Sequence, residues 1–278
     1  MARKIHDMTR RVIRALTTGL AAVAVVFAAC AAGAADERPL TFDDKSVGGP
    51  NSGATLEVWR PAGSGPFPAV VVLHSCTGVS DHTRSWAARL NGWGYVAVIV
   101  DSFRPRRQNT VCNFGGVSYR IRGQDAFNAA IYLRTLPYIM PDRIGVIGFS
   151  HGGSGAIWAS LPLEVPTDHG GRAFQAAVAY YPECNPNPPR VDPATDLLIL
   201  IGKNDDWALP EKCVKHVAAR AGLPHAPAIK LYPNAVHSFD IGGVPHLYEG
   251  HMVGGNSEAA AESFAATKDF FDARLKAK

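Results

Sequence analysis

The chain is short of charge, and the charge it carries is balanced. Only 19% of its 278 residues are Asp, Glu, Lys or Arg while 47% are hydrophobic, which excludes a disordered, collagen-like or coiled-coil polymer and leaves an ordinary globular composition. No internal repeat is visible. No C-x-x-C pair occurs among the five cysteines, so the usual zinc and redox patterns are missing. A basic face is missing too. Arg3, Lys4, Arg10, Arg11 and Arg14 outnumber Asp7 by four within the first 35 residues, and the whole chain has a net charge of +4, so the remainder is formally neutral. A nucleic-acid partner, which needs cations against its phosphates, is thereby disfavoured, and a small neutral or weakly charged molecule fits better.

What is present first is a leader. The basic opening is followed by an uncharged stretch from Ala15 to Ala35, and Ala32-Gly33-Ala34 fits the small-x-small rule for cleavage before Ala35, or equally one residue later. The expected division is a signal peptide over residues 1–35 and one domain over residues 36–278, in a periplasmic or secreted protein. An uncleaved anchor is the alternative, because about 20 apolar residues span a bilayer; alanine dominates this stretch, however, and suits a cleaved signal better. Thr9-Arg10-Arg11 resembles a twin-arginine signal, and Ala28-Ala29-Cys30 resembles a lipoprotein box with an unfavourable Phe27 before it. Export lets disulfides persist, and Cys76, Cys112, Cys184 and Cys213 remain after cleavage. Their two bridges have three connectivities, which sequence alone leaves open. The expected pairs are Cys76–Cys112 and Cys184–Cys213, each joining loops at the carboxyl end of the predicted sheet.

After the leader, apolar runs of strand length alternate with amphipathic segments, the pattern of a mostly parallel sheet with helices on both faces. Strands are expected at Ala54 to Arg60, Ala69 to His74, Tyr95 to Asp101, Arg143 to Phe149, Ala176 to Tyr181, Leu197 to Gly202 and Ala228 to Tyr232. Helices are expected at His82 to Asn91, Arg120 to Thr135, Ser154 to Leu161, Pro210 to Ala221 and Glu258 to Leu275, the last with Ala265, Phe270, Phe271 and Leu275 as its core stripe. Pro-rich Asn185 to Pro193 reads as a surface loop, since the alternation resumes after it.

Within that frame Gly148-Phe149-Ser150-His151-Gly152 matches G-x-S-x-G between a strand and a helix. So tight a turn strains the serine backbone, and the flanking glycines remove Cβ atoms that would collide. Ser150 is the expected nucleophile. A hydroxyl needs a base, and His237 follows the next-to-last predicted element by a short loop. The base needs a carboxylate, and the spacing in Gly202-Lys203-Asn204-Asp205-Asp206 favours Asp205 over Asp206. The order Ser150, Asp205, His237 is that of α/β-hydrolases and not of other serine-protease folds. Oxyanion donors are expected from the N–H of His151, at the start of the helix, and of Cys76, in the loop after the second strand. The side chain of His151 is expected to point away from Ser150, as a pocket wall. His74 ends a strand; His246 and His251 are considered with Asp240 as metal ligands, but their spacing is irregular. Arg104, Arg106 and Arg107 sit on a loop at the same edge, where guanidinium groups hold carboxylates well. Tyr119 and Trp207 are candidates for an apolar pocket wall.

With these residues assembled, the chain resembles the dienelactone hydrolase family, especially its exported members, over nearly all of the region after the leader. The resemblance rests on His74-Ser75-Cys76-Thr77-Gly78, Asp101-Ser102-Phe103, the Ser150 turn, Gly202 to Trp207 and Tyr232 to Phe239, in the family's order. It implies a single α/β-hydrolase domain that cleaves small ester-like bonds through an acyl-enzyme, with no metal or organic cofactor. The founding members carry cysteine where this chain has Ser150 and glutamate where it has Ser75, so a serine-esterase cycle is the simpler expectation. A peptidase or acyltransferase on the same fold and a non-catalytic exported binding protein are the other readings.

Overall fold

A computed structural model describes residues 40–43, 53–113, 115–162, 174–184 and 193–276. The expected signal peptide, residues 1–35, lies outside them. The strands are β1 (Leu40–Asp43), β2 (Gly53–Trp59), β3 (Phe67–Leu73), β4 (Val96–Asp101), β5 (Ile139–Phe149), β6 (Ala176–Tyr180), β7 (Asp196–Gly202), β8 (Ala228–Tyr232), β9 (His246–Tyr248) and β10 (His251–Val253). The helices are α1 (Asp81–Gly92), α2 (Tyr119–Arg134), α3 (His151–Ala159), α4 (Pro210–Ala218) and α5 (Ser257–Phe271).

Eight strands form one sheet in the order β1-β2-β4-β3-β5-β6-β7-β8. The β1–β2 and β2–β4 pairs are antiparallel, and every pair from β4 to β8 is parallel. The parallel centre follows from composition. The side chains of Val70, Val71, Val72, Val98, Ile147, Val178 and Ile199 are almost completely buried, as continuous apolar runs must be when helices cover both faces. Helices α1 and α5 share one face, where Trp86 meets Phe264 with ring centroids 5.2 Å apart and the Arg89 guanidinium lies 3.7 Å over Phe264. Helices α2 and α3 share the other, so close that a Cβ on Gly123 would come within 3.2 Å of the Trp158 Cβ.

The chain leaves β3 toward β4 on one side and returns to β5 on the other, which makes the carboxyl ends of β3 and β5 a topological switch point. Connections that diverge there open a crevice, the usual ligand position in open α/β sheets. Leu73 pairs with Gly148 at that end.

Two sequence expectations change. Helix α3 begins directly at His151 instead of Ser154, because the turn is a single residue, Ser150. The buried face of α5 is Ala259, Ser263, Thr267 and Phe271, and Ala265 is exposed. Two hydroxyl residues fit this stripe because each hydroxyl has a partner there: Thr267 Oγ1 meets the buried Tyr180 hydroxyl at 2.7 Å, and Ser263 Oγ donates to the Ala260 carbonyl at 2.8 Å. The β9–β10 hairpin, which the apolar pattern also does not mark, stands off the sheet with Val244 and Leu247 exposed. Among the described residues no helix is long and apolar enough to cross a membrane.

Candidate active site

The switch point is built from residues whose sizes permit one close approach after another. A Cβ on Gly148 would lie 2.0 Å from the Gly152 carbonyl oxygen, and one on Gly152 would lie 2.2 Å from the Leu73 carbonyl oxygen. Side chains at either position would push the turn off the sheet. Ser150, between them, takes φ 52° and ψ −115°, in the region L-residues avoid. Its N–H donates to the Tyr180 carbonyl at 3.0 Å, and its carbonyl accepts from Ser154 N–H at 3.0 Å, so both neighbours hold the strained residue in place.

Loops after β7 and β8 bring the partners. Ser150 Oγ is 2.9 Å from His237 Nε2, and His237 Nδ1 is 2.9 Å from Asp205 Oδ2. The other carboxylate oxygen, Oδ1, accepts the N–H groups of Trp207 at 3.0 Å and Ala208 at 2.8 Å. Asp205 and His237 are each only 3% exposed, so the pair is shielded from water. Asp206 is turned away: its carboxylate accepts Met252 N–H at 3.1 Å and lies 3.7 Å from His251 Nδ1. The loop carrying His237 is itself braced by the hairpin, whose Gly254 N–H donates to the His237 carbonyl at 3.0 Å.

Ser150, His237, Cys76, His151, Tyr119 and Trp207 line one cavity of about 390 Å³, together with Glu183 and residues 111–112 and 115–118. Both expected disulfides are present: Cys76–Cys112 joins two loops at this rim, whereas Cys184–Cys213 ties the segment after β6 to helix α4 and not to a second loop. The His151 ring lies 4.6 Å from that of Tyr119 and 5.8 Å from that of Phe103. Burial, and then the positive charge of Arg122, press its pKa down from 6.5 to about 3, so the imidazole is neutral. Arg122 Nη1 lies 3.4 Å from His151 Nδ1, and its Nη2 donates to the His74 carbonyl at 2.8 Å. His74 is fully buried, with Nδ1 2.7 Å from the Ser75 carbonyl; burial and Arg122 hold it well below the ordinary histidine value.

The arginine loop departs from expectation. Arg104 lies outside this cavity: its Nε pairs with Asp101 at 3.3 Å, and it lines a separate cleft with Glu57 and Arg84. Arg106 is spent on a bidentate pair with Asp125, both bonds 2.8 Å. Acidic residues on β4 and α2 pair with these guanidinium groups, and the sequence does not show that they are neighbours. His246, His251 and Asp240 do not assemble either, and among the described residues no three potential metal ligands cluster. Asp240 is buried and accepts from His82 Nε2 at 2.8 Å, Trp86 Nε1 at 2.7 Å and Tyr181 hydroxyl at 2.7 Å. Burial pushes its carboxyl up, but the neighbouring His82 and these donors outweigh that and leave it below the ordinary value. Tyr181 in turn sets its ring 4.8 Å from that of His237. Sequence reasoning missed Arg122, Tyr181 and Glu183, since none carries a spacing signal; each is recognisable only by what it touches.

An eight-stranded, mostly parallel sheet with the switch-point serine on a strained strand-to-helix turn defines the class as the α/β-hydrolase fold. Residues 56–275 match the dienelactone hydrolase family, and the chain belongs to it. Membership places it among the carboxylic-ester hydrolases. A Synechocystis protein bearing the name carboxymethylenebutenolidase is 24% identical over 236 residues, covering 78% of this chain and 90% of its own length. Among solved structures, a dienelactone hydrolase-like promiscuous phosphotriesterase from metagenomic libraries superposes with a TM-score of 0.65 at 22% identity, over 86% of this chain and 98% of its own. A thermophilic esterase from the planctomycete Thermogutta terrifontis, with butyrate bound, does so with a TM-score of 0.59 at 17% identity, over 84% of this chain and 93% of its own.

Proposed function

We propose that the protein hydrolyses small esters or lactones through an acyl-enzyme, with Ser150 as nucleophile, His237 as base and Asp205 as the acid that orients it. The observation that carries this reading is the unbroken pair of 2.9 Å bonds from Ser150 Oγ through the His237 ring to Asp205. His237 takes the Ser150 proton as Oγ adds to the carbonyl carbon, and returns it to the departing alkoxide. Water then adds to the acyl carbon by the same route and frees the acid. Asp205 keeps the proton of neutral His237 on Nδ1, which leaves Nε2 free to accept from the serine.

The oxyanion is held by the N–H groups of His151 and Cys76. His151 is the first residue of α3, where backbone donors have no partner within the helix and the dipole is positive. Cys76 lines the same cavity from the end of β3, its loop pinned by Cys112. Tyr119 and Trp207 supply the apolar wall. The two disulfides suit an oxidising compartment, and with the basic leader they support export to the periplasm or medium.

Fluorophosphonate labelling of the protein beside Ser150→Ala, followed by 4-nitrophenyl butyrate hydrolysis, tests the assignment. Wild type should label at Ser150 and turn over the ester. Labelling that persists in Ser150→Ala would reject the nucleophile.

A further inference from the structure

The cavity around Ser150 has a sign. Among the described residues that line it, Glu183 is the one bearing a formal charge at neutral pH, and no lysine or arginine joins it. Arg104, Arg106 and Arg122 are each committed elsewhere. Arg104 opens onto the other cleft and pairs with Asp101, and Arg106 is locked on Asp125. Arg122 lies fully buried behind the wall, within 4.9 Å of the Phe103 ring. His151, the wall's most natural cation, stays neutral because burial, and then the charge of Arg122, hold its pKa down.

Glu183 is positioned, not merely exposed. Its backbone N–H donates to Ser154 Oγ at 2.9 Å, and that hydroxyl reaches the Glu183 carbonyl at 3.1 Å, which fixes the residue against helix α3. The next residue, Cys184, is tied to Cys213. The Tyr119 hydroxyl donates to Glu183 Oε2, so the tyrosine ring and the carboxylate form one polar-aromatic corner. Trp207 faces the same space.

We infer that this cavity selects its ester by charge, taking a substrate that presents an alkylammonium-type cation to Glu183, Tyr119 and Trp207 and refusing one that presents a carboxylate. The inference rests on the hydrolase reading above and names its substrate class. A carboxylate attracts an ammonium group through a screened ion pair, and aromatic faces attract it through their quadrupoles. Each effect contributes a few-fold at a half-open site, and together they give a preference on the order of tenfold. A carboxylate-bearing substrate meets repulsion from Glu183 and, among the described lining residues, finds no guanidinium to receive it.

The test uses matched esters in two series, since the charged group sits on either the acyl or the alcohol side. The acyl series is the 4-nitrophenyl esters of 4-(trimethylammonio)butanoate, its uncharged isostere 5,5-dimethylhexanoate, and glutarate. The alcohol series compares butyrylcholine with 3,3-dimethylbutyl butyrate. In one series or both, kcat/KM should favour the cation over its neutral isostere, and the glutarate half-ester should fall about tenfold or more below the cationic ester. Glu183→Gln should collapse the cation-to-glutarate ratio below about threefold, and added salt should shrink it in wild type. Glu262→Gln, on the far surface where Glu262 pairs with Lys230, should leave the ratio as it was. A preference for glutarate, equal rates across charges, or a ratio unmoved by Glu183→Gln would overturn the inference. If the neutral esters also fail and the fluorophosphonate does not label Ser150, the hydrolase reading itself falls.

Discussion

Replacing Asp205 with asparagine isolates the orienting role of the carboxylate, because the change alters protonation chemistry while keeping shape. Oδ1 of Asp205 accepts two backbone N–H groups, at 3.0 and 2.8 Å, whereas Oδ2 faces His237 Nδ1. Asparagine has one oxygen and one NH2. Turning the NH2 toward Trp207 and Ala208 would leave two buried donors unpaired at about 1–3 kcal/mol each, so the oxygen stays with the backbone and the NH2 faces His237. An NH2 donates, which forces His237 to accept at Nδ1 and to carry its proton on Nε2. That proton then points at Ser150 Oγ, and the imidazole cannot act as base. The expected loss in kcat is on the order of ten-thousand-fold, or about 5.5 kcal/mol in the barrier, with KM nearly unchanged because substrate binding does not use Asp205. Initial rates with 4-nitrophenyl butyrate measure it, and thermal unfolding monitored by circular dichroism checks that the fold persists. The reasoning is refuted if Asp205→Asn keeps more than a tenth of wild-type kcat, or if Asp206→Asn loses as much.

Stability should fall as pH drops. His151 titrates near 6.5 when unfolded and about 3 when folded, so its contribution is complete above pH 6.5 and is lost between 6.5 and about 3, at no more than about 1.4 kcal/mol per pH unit. The buried His74 shifts in the same direction, and a urea-midpoint series from pH 7 to pH 4 that stayed level would contradict both. The double replacement Cys184→Ser with Cys213→Ser opens a loop of sequence separation 29 and should cost about 3–4 kcal/mol, read from denaturant midpoints under oxidising conditions. Gly152→Ala places a methyl 2.2 Å from the Leu73 carbonyl oxygen and should cost about 3 kcal/mol or more, seen as lost soluble yield. Gly92→Ala, with nothing within 4 Å of its new Cβ at the end of α1, should melt at or above wild type.

The sequence by itself determined the alternation that builds the sheet, since runs such as Phe67–Leu73 and residues 96–100 are apolar at successive positions and are stable only between two covered faces. It also marked Ser150, because a glycine-flanked serine between a strand and a helix is a local constraint on backbone geometry. His237 was legible by its place after a late strand, and Asp205 by its spacing from Gly202. Only the tertiary structure shows how sharply the two adjacent carboxylates diverge, Asp205 toward the His237 ring and Asp206 toward the Met252 N–H. It alone moved Arg104 and Arg106 away from the cavity, because Asp101 and Asp125 reach them first. Glu183 and Arg122 were invisible for the same reason. Periodicity records which side of an element meets apolar matter, whereas the charge of a cavity depends on which long side chains, far apart in the chain, find each other before they find the ligand.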